Sequence, residues 1–213
     1  MNTNELITTL ATSAEPVEQN AATRKFAIAV GWGLFGATLL MALFLGIRSD
    51  IAHAALLPMF WVKLLVPAIA ALAGLRTAKR LACPGMRPGR APALIGILLL
   101  MAWTGTAATL FEASPDERAT LIFGGTWKTC PFSIALLSLP PFVGAFWAMK
   151  KLAPTRLRVA GASAGLLAGA MAAAVYALHC PEMAVPFLGI WYVLGIAIPT
   201  LVGCMIGPLL LEW

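Results

Sequence analysis

Six times along the chain a long apolar run gives way to a short polar break. The runs cover about residues 26–47, 58–75, 93–111, 131–148, 159–178 and 187–210. Each is close to the ~20 residues that a helix needs to cross the hydrocarbon layer of a bilayer. The pattern predicts an all-α, polytopic membrane protein. A bundle of six transmembrane helices fills residues 26–213, behind a polar N-terminal segment at 1–25. The first run follows Arg24 and Lys25 and so resembles a signal sequence. It is too long for one, however, and lies behind a segment carrying Glu5, Glu15 and Glu18, so the leader is expected to be kept.

Composition agrees with the pattern. Of 213 residues, 60% are apolar and 11% charged, and mean hydropathy is +0.86, which excludes an ordinary soluble domain. The net charge of +6 does not point to direct nucleic-acid binding, because the basic residues flank apolar runs and do not interleave with aromatics. They point to orientation. Alternate polar segments hold eleven Lys and Arg residues (Arg24, Lys25, Arg76, Lys79, Arg80, Arg87, Arg90, Lys150, Lys151, Arg156, Arg158) against three (Arg48, Arg118, Lys128). Positive charge in short loops stays cytoplasmic, so both termini are expected inside. Lys63 falls about one turn inside the second run and has no intramembrane carboxylate to pair with. It reads as an anchoring residue whose ammonium snorkels to the interface along lipid.

Within the runs, Gly161, Gly165 and Gly169 form a small-residue stripe for close helix approach, and Gly203 and Gly207 form another. Pro67, Pro140, Pro141 and Pro199 each remove a backbone donor and predict bends. Trp61, Trp127, Trp147, Trp191 and Trp213 sit near run ends as interface anchors, whereas Trp32 and Trp103 lie deeper and read as packing residues. In the leader, Leu6, Ile7 and Leu10 give one small apolar face at near-helical spacing, with Asn2, Thr3 or Asn4 to cap it. So short a helix gains order by docking into a partner's groove or by lying on a membrane surface.

Four cysteines separate by position. Cys83 lies in a basic loop and Cys204 inside the last run; both are expected to be inert. Cys130 opens the fourth run and Cys180 follows the fifth, so a hairpin turning near Pro154 returns them to nearly one height on the outer side. Three roles remain open: a static disulfide, a redox- or metal-responsive pair with His179 beside Cys180, and a catalytic thiol relay. The last lacks a C-x-x-C motif.

From residue 130 onward, "CPFSIALLSLPP", "KKLAPTRLR", a Gly/Ala-rich helix, "YALHCPE", "FLGIWYVLG" and "LLLEW" resemble the NrsF-like family of bacterial membrane anti-sigma factors. The leader "TNELITTLATSAEPV" and the six-run layout extend the resemblance over the chain. It implies a non-enzymatic, inner-membrane protein without cofactors. Such a protein sequesters an extracytoplasmic-function sigma factor of the sigma F type and releases it on oxidative or metal stress. Carried over, the family's paired periplasmic cysteines are Cys130 and Cys180, and the leader face at Leu6, Ile7 and Leu10 is the expected sigma-factor contact. Membrane lipid is the other expected partner. Two other classes compete: a membrane thiol-disulfide oxidoreductase, which needs a resolving pair or bound cofactor, and a small transporter, which needs a polar midplane cavity.

Overall fold

A computed structural model describes residues 2–13 and 20–212, with the side chains of Leu10, Ser13 and Ala21 left out. Among the described residues all regular structure is helical. Helix α1 is Thr3–Ser13, α2 Ala21–Leu40, α3 Ile51–Ala54, α4 Pro58–Leu81, α5 Ala91–Glu112 and α6 Pro115–Phe123. They are followed by α7 Cys130–Leu137, α8 Leu139–Lys150, α9 Leu157–Tyr176, α10 Val185–Phe187 and α11 Val193–Leu210. Single π-turns extend α2 through Leu45 and join α10 to α11.

Five helical stretches are long and apolar enough to cross a membrane: Ala22–Leu45, Pro58–Leu81, Ala91–Glu112, Leu157–Tyr176 and Val185–Leu210. The fourth apolar run is instead a pair, α7 and α8, bent by 41° at Ser138. Pro140 and Pro141 cause this break, because neither can return a hydrogen bond to the preceding turn. The Ser138 hydroxyl compensates by donating to the Ala135 carbonyl at 2.7 Å. By contrast, Pro67 and Pro199 are accommodated inside α4 and α11.

Helix α9 is the central strut, with 14 of its 20 residues buried. Its glycine stripe does what the spacing implies. A Cβ on Gly161 or Gly165 would collide with the backbone of Gly203 or Pro199 on α11, so bare backbones meet there. The proline pair makes a second close contact. Pro141 and Pro140 fit against Gly33 and Gly36 of α2, where an added Cβ would come within 2.7 Å of each ring.

Two buried clusters occupy opposite ends of the bundle. One gathers Phe26, Leu81, Phe146, Met149 and Leu211 and lies next to the basic segments. Those segments touch one another: Lys25 donates to the Lys151 carbonyl at 3.2 Å and Lys79 to Thr23 Oγ1 at 2.9 Å. The chain thus enters and leaves the bundle at this basic end. The second cluster holds Cys130 and Cys180 with Met41, Ile134, Tyr176, Phe187 and Tyr192.

Three expectations need correction. Lys63 does not snorkel along lipid; it is 2% exposed and points into the bundle. Trp32 is 69% exposed and Trp103 55% exposed, so both face outward and neither is core packing. The polar break between the runs ending at 111 and starting at 131 is not a plain connection: it holds α6, begun by a capping box of Ser114 and Glu117. Trp213 lies outside the described residues.

Candidate functional site

At the end of α9 the chain must turn back: the N–H groups of Ala177 to Cys180 close the last turn on the carbonyls of Ala173, Val175 and Tyr176, and the loop carbonyls that follow are left without helical donors. The loop Leu178–Glu182 contains Pro181, which supplies no N–H, so donors have to come from elsewhere. They come from three other parts of the molecule. Lys63 Nζ on α4 donates to the carbonyls of both Cys180 and Glu182, each at 2.6 Å. Arg48 Nη1 reaches the Cys180 carbonyl at 3.4 Å, and the Arg48 backbone N–H reaches that of Leu178 at 3.5 Å. The Gly125 N–H donates to Glu182 Oε1 at 2.8 Å.

These contacts explain the correction at Lys63. A buried ammonium is costly unless its protons are satisfied, and two carbonyls with an aromatic face supply that here. The face is Tyr192, whose ring centroid lies 5.5 Å from Nζ. The sequence signal was a lysine in an apolar run with no acid in reach. Its partners were carbonyls, which side-chain inspection cannot see.

Arg48 is itself fixed by a two-pronged pair with Asp50, both bonds at 2.7 Å. This is the sole ion pair among the described residues. The hydrogen bond from Arg48 holds the Asp50 carboxyl down at about 2, and the same bond raises the guanidinium above its ordinary value. On α6, hydrogen bonds from Ser114 hold the Glu117 carboxyl below its usual range.

Cys130 and Cys180 are both fully buried, at 0% exposure, and both are free thiols. They share one cluster, as the hairpin length implies. Cys130 sits at the first position of α7, so displacing it moves the helix leading to the Ser138 bend. The hydroxyl of Tyr192 is buried and, among the described residues, has no hydrogen-bond partner.

His179 does not complete a metal or thiol-activating set. Its Nδ1 donates to the Gly46 carbonyl at 2.8 Å in the tautomer protonated there, and its ring packs on Tyr176 at 5.6 Å. Among the described residues no group of three or more His, Cys, Asp or Glu side chains gathers into a metal-binding arrangement. Cys83 and Cys204 lie half-buried outside the cluster.

Beside the loop, Trp127 and Trp191 pack with ring centroids 5.2 Å apart, and Phe123 stands 5.2 Å from Trp127. Trp191 Nε1 donates to the Ile122 carbonyl at 2.8 Å, tying α6 to the start of the last span. On α1, Asn2 caps with its carbonyl, which accepts from Glu5 and Leu6 at 3.0 and 3.1 Å. Leu6 and Ile7 are exposed at 40% and 58%. The side chain of Leu10 lies outside the described residues.

The chain is 50% identical over 213 residues to a probable anti-sigma-F factor NrsF of Azospira oryzae, covering 100% of both chains. It is 38% identical over 217 positions to the anti-sigma-F factor NrsF of Caulobacter vibrioides, again covering 100% of both. No solved structure matches it significantly. The family model described as negative regulator of sigma F matches residues 10–213, and the chain belongs to that family, NrsF.

Proposed function

We propose that this protein is an anti-sigma-F factor of the bacterial inner membrane, crossing it six times with both termini cytoplasmic. The observation that carries the reading is end-to-end similarity to anti-sigma-F factors. It is joined by a bundle whose positive charge is gathered at the end where the chain enters and leaves. Residues 1–25 form the cytoplasmic segment and 26–213 the transmembrane domain. The apolar face of α1, exposed at Leu6 and Ile7 and continued in the sequence by Leu10, holds the sigma factor, of the extracytoplasmic-function type. A short helix with such a face gains order from the partner it covers.

Cys130 and Cys180 then lie buried at the periplasmic end of the bundle and sense envelope stress. A two-electron oxidant of the peroxide class takes two electrons and two protons from the pair; the two S–H bonds are replaced by one S–S bond. Closing that bond pulls the Leu178–Glu182 loop against the start of α7. The displacement passes through the Ser138 bend to α8, whose prolines sit in the glycine notches of α2. Helix α2 leads directly to the cytoplasmic segment. A coupling of ~1–3 kcal/mol is enough for a 5- to 150-fold loss of sigma-factor affinity.

Deleting residues 1–19 is expected to abolish co-purification of the sigma factor while the truncated protein stays in the membrane fraction. Full retention of the partner overturns the assignment of the leader. Cys130→Ser with Cys180→Ser should keep the sigma factor bound during peroxide treatment that releases it from the parent protein. Equal release from both proteins returns the two cysteines to a structural role.

A further inference from the structure

We propose a second site at the basic end: a cleft between α4 and α5 that binds an anionic glycerophospholipid. The cleft encloses about 600 Å³ and is lined by Arg76, Lys79, Arg80 and Arg90, with Ala73 and Leu94 forming part of its apolar floor. Arg76, Lys79 and Arg80 recur at helical spacing and so project from one face of α4. Like charges so placed repel unless an anion lies between them. None of the four pairs with a carboxylate among the described residues.

One of them is already held for such a ligand. Arg80 donates from Nε to the Arg87 carbonyl at 3.2 Å and packs on Gly89, where even a Cβ would come within 3.0 Å of its Nη1. Gly89 has φ +74, a conformation that side-chain-bearing residues rarely adopt, so the turn that cradles the guanidinium calls for glycine.

The apolar side of the same helix pair decides which anion fits. Below the basic cleft an apolar groove of about 450 Å³ lies between α4, α5 and α11, lined by Val66, Ala70, Ile95, Leu98 and Leu99 among others. It is open to the side because α5 stands off the bundle, with Thr106 its one buried residue. Along α4 the groove begins at Ala70, ~9 Å below Arg76 at ~1.5 Å per residue, and runs on past Val66 and Lys63 to Met59 at the far end of the helix. An acyl chain of one leaflet spans about half of a ~30 Å hydrocarbon core, so from the arginines it reaches the part of the groove between Ala70 and Val66, opposite Ile95, Leu98 and Leu99. A phosphate at the arginines with an acyl chain down the groove fills both parts. Free phosphate or an acidic protein surface fills only the upper one. Basic pockets between membrane helices on the cytoplasmic side take lipid headgroups by the same physics. The proposal rests on the membrane location and is independent of sigma-factor binding.

Native mass spectrometry of the full-length protein in non-ionic detergent tests it, with phosphatidylglycerol, phosphatidylethanolamine or inorganic phosphate added. Phosphatidylglycerol adducts should persist at least tenfold more strongly than phosphatidylethanolamine adducts. Arg76→Gln with Arg80→Gln and Arg90→Gln should remove that preference, and Leu98→Trp, which fills the groove, should weaken retention of the lipid. All three arginines are exposed, so the variants should fold; single Arg→Gln variants serve if the triple does not. Equal retention of the two lipids, displacement of phosphatidylglycerol by millimolar phosphate, or full binding by all arginine variants overturns the proposal. Displacement of the lipid by purified sigma factor also overturns it, because the patch would then be a protein-docking surface.

Discussion

Replacing Lys63 with methionine keeps the length and apolar stem of the side chain and removes both bonds that pin the Cys180 loop from α4. Those bonds are short, at 2.6 Å, and are made by a charged donor. A hydrogen bond to a charged group contributes a net ~1.5–3 kcal/mol, so the pair holds the loop by ~3–6 kcal/mol. Relief of the buried ammonium's desolvation offsets part of this, as does water reaching the part-buried Glu182 carbonyl. A loss of ~2–3 kcal/mol against loop opening remains, which is roughly a 30- to 150-fold rise in the opened fraction. Cys180 has 0% exposure, so alkylating reagents reach it only from that open state. Timed maleimide labelling with peptide mass readout measures the rate, using Cys83 in the same chain as the reference. The Lys63→Met variant should label Cys180 ~30- to 150-fold faster, and Lys63→Arg, which retains several donors, should recover most of the protection. A change below threefold in a folded Lys63→Met protein would refute the reasoning.

Other outcomes follow from the same geometry. Arg48→Gln should accelerate Cys180 labelling by less than about fivefold, because its bond to that carbonyl is 3.4 Å long and a neutral-strength contact nets only ~1 kcal/mol. The Asp50 carboxyl is held down at about 2 from an ordinary 3.8, so its contribution to stability is present above about pH 4 and fades as pH falls toward 2. The melting temperature of Asp50→Asn should accordingly lie below that of the parent above pH 4 and converge with it near pH 2. Gly165→Ala drives a Cβ into the Pro199 carbonyl and should cost ~1–3 kcal/mol in thermal unfolding, whereas Gly31→Ala meets nothing within 4 Å and should be neutral or slightly stabilising. Leu6→Asp with Ile7→Asp should reduce sigma-factor co-purification at least tenfold and leave the thermal stability of the bundle unchanged, since both side chains are exposed.

The long helices were legible because apolar runs of this length have few other uses, and the structure places a helix or a bent pair at each. That α9 and α11 each take a close neighbour was legible too, since Gly161, Gly165, Gly203 and Gly207 leave room for another backbone; that they are each other's neighbour is visible only in the structure. Ser114 and Glu117 carry the start signal of α6, but the apolar pattern shows only a polar break there, because so short a helix has no long apolar run. Lys63 failed for a different reason. Its partners are backbone carbonyls 117 and 119 residues away, exposed as acceptors only because α9 ends there and Pro181 follows. Hairpin length brought Cys130 and Cys180 to one end of the bundle. Their complete burial depends on Met41, Phe187 and Tyr192, which arrive from other elements. His179 looked like a thiol partner by adjacency, yet the turn directs its ring to Gly46.

The assignment of the basic end to the cytoplasm and the cysteine end to the periplasm underlies both sensing and sigma-factor binding. Because both clustered thiols are buried, an impermeant maleimide is best aimed at new cysteines on exposed positions, Asp116→Cys on α6 and Thr3→Cys on α1, read by peptide mass. In cells with a permeabilised outer membrane, Asp116→Cys should be tagged at once and Thr3→Cys only after lysis. Tagging of Thr3→Cys before lysis, or protection of Asp116→Cys until then, would contradict it.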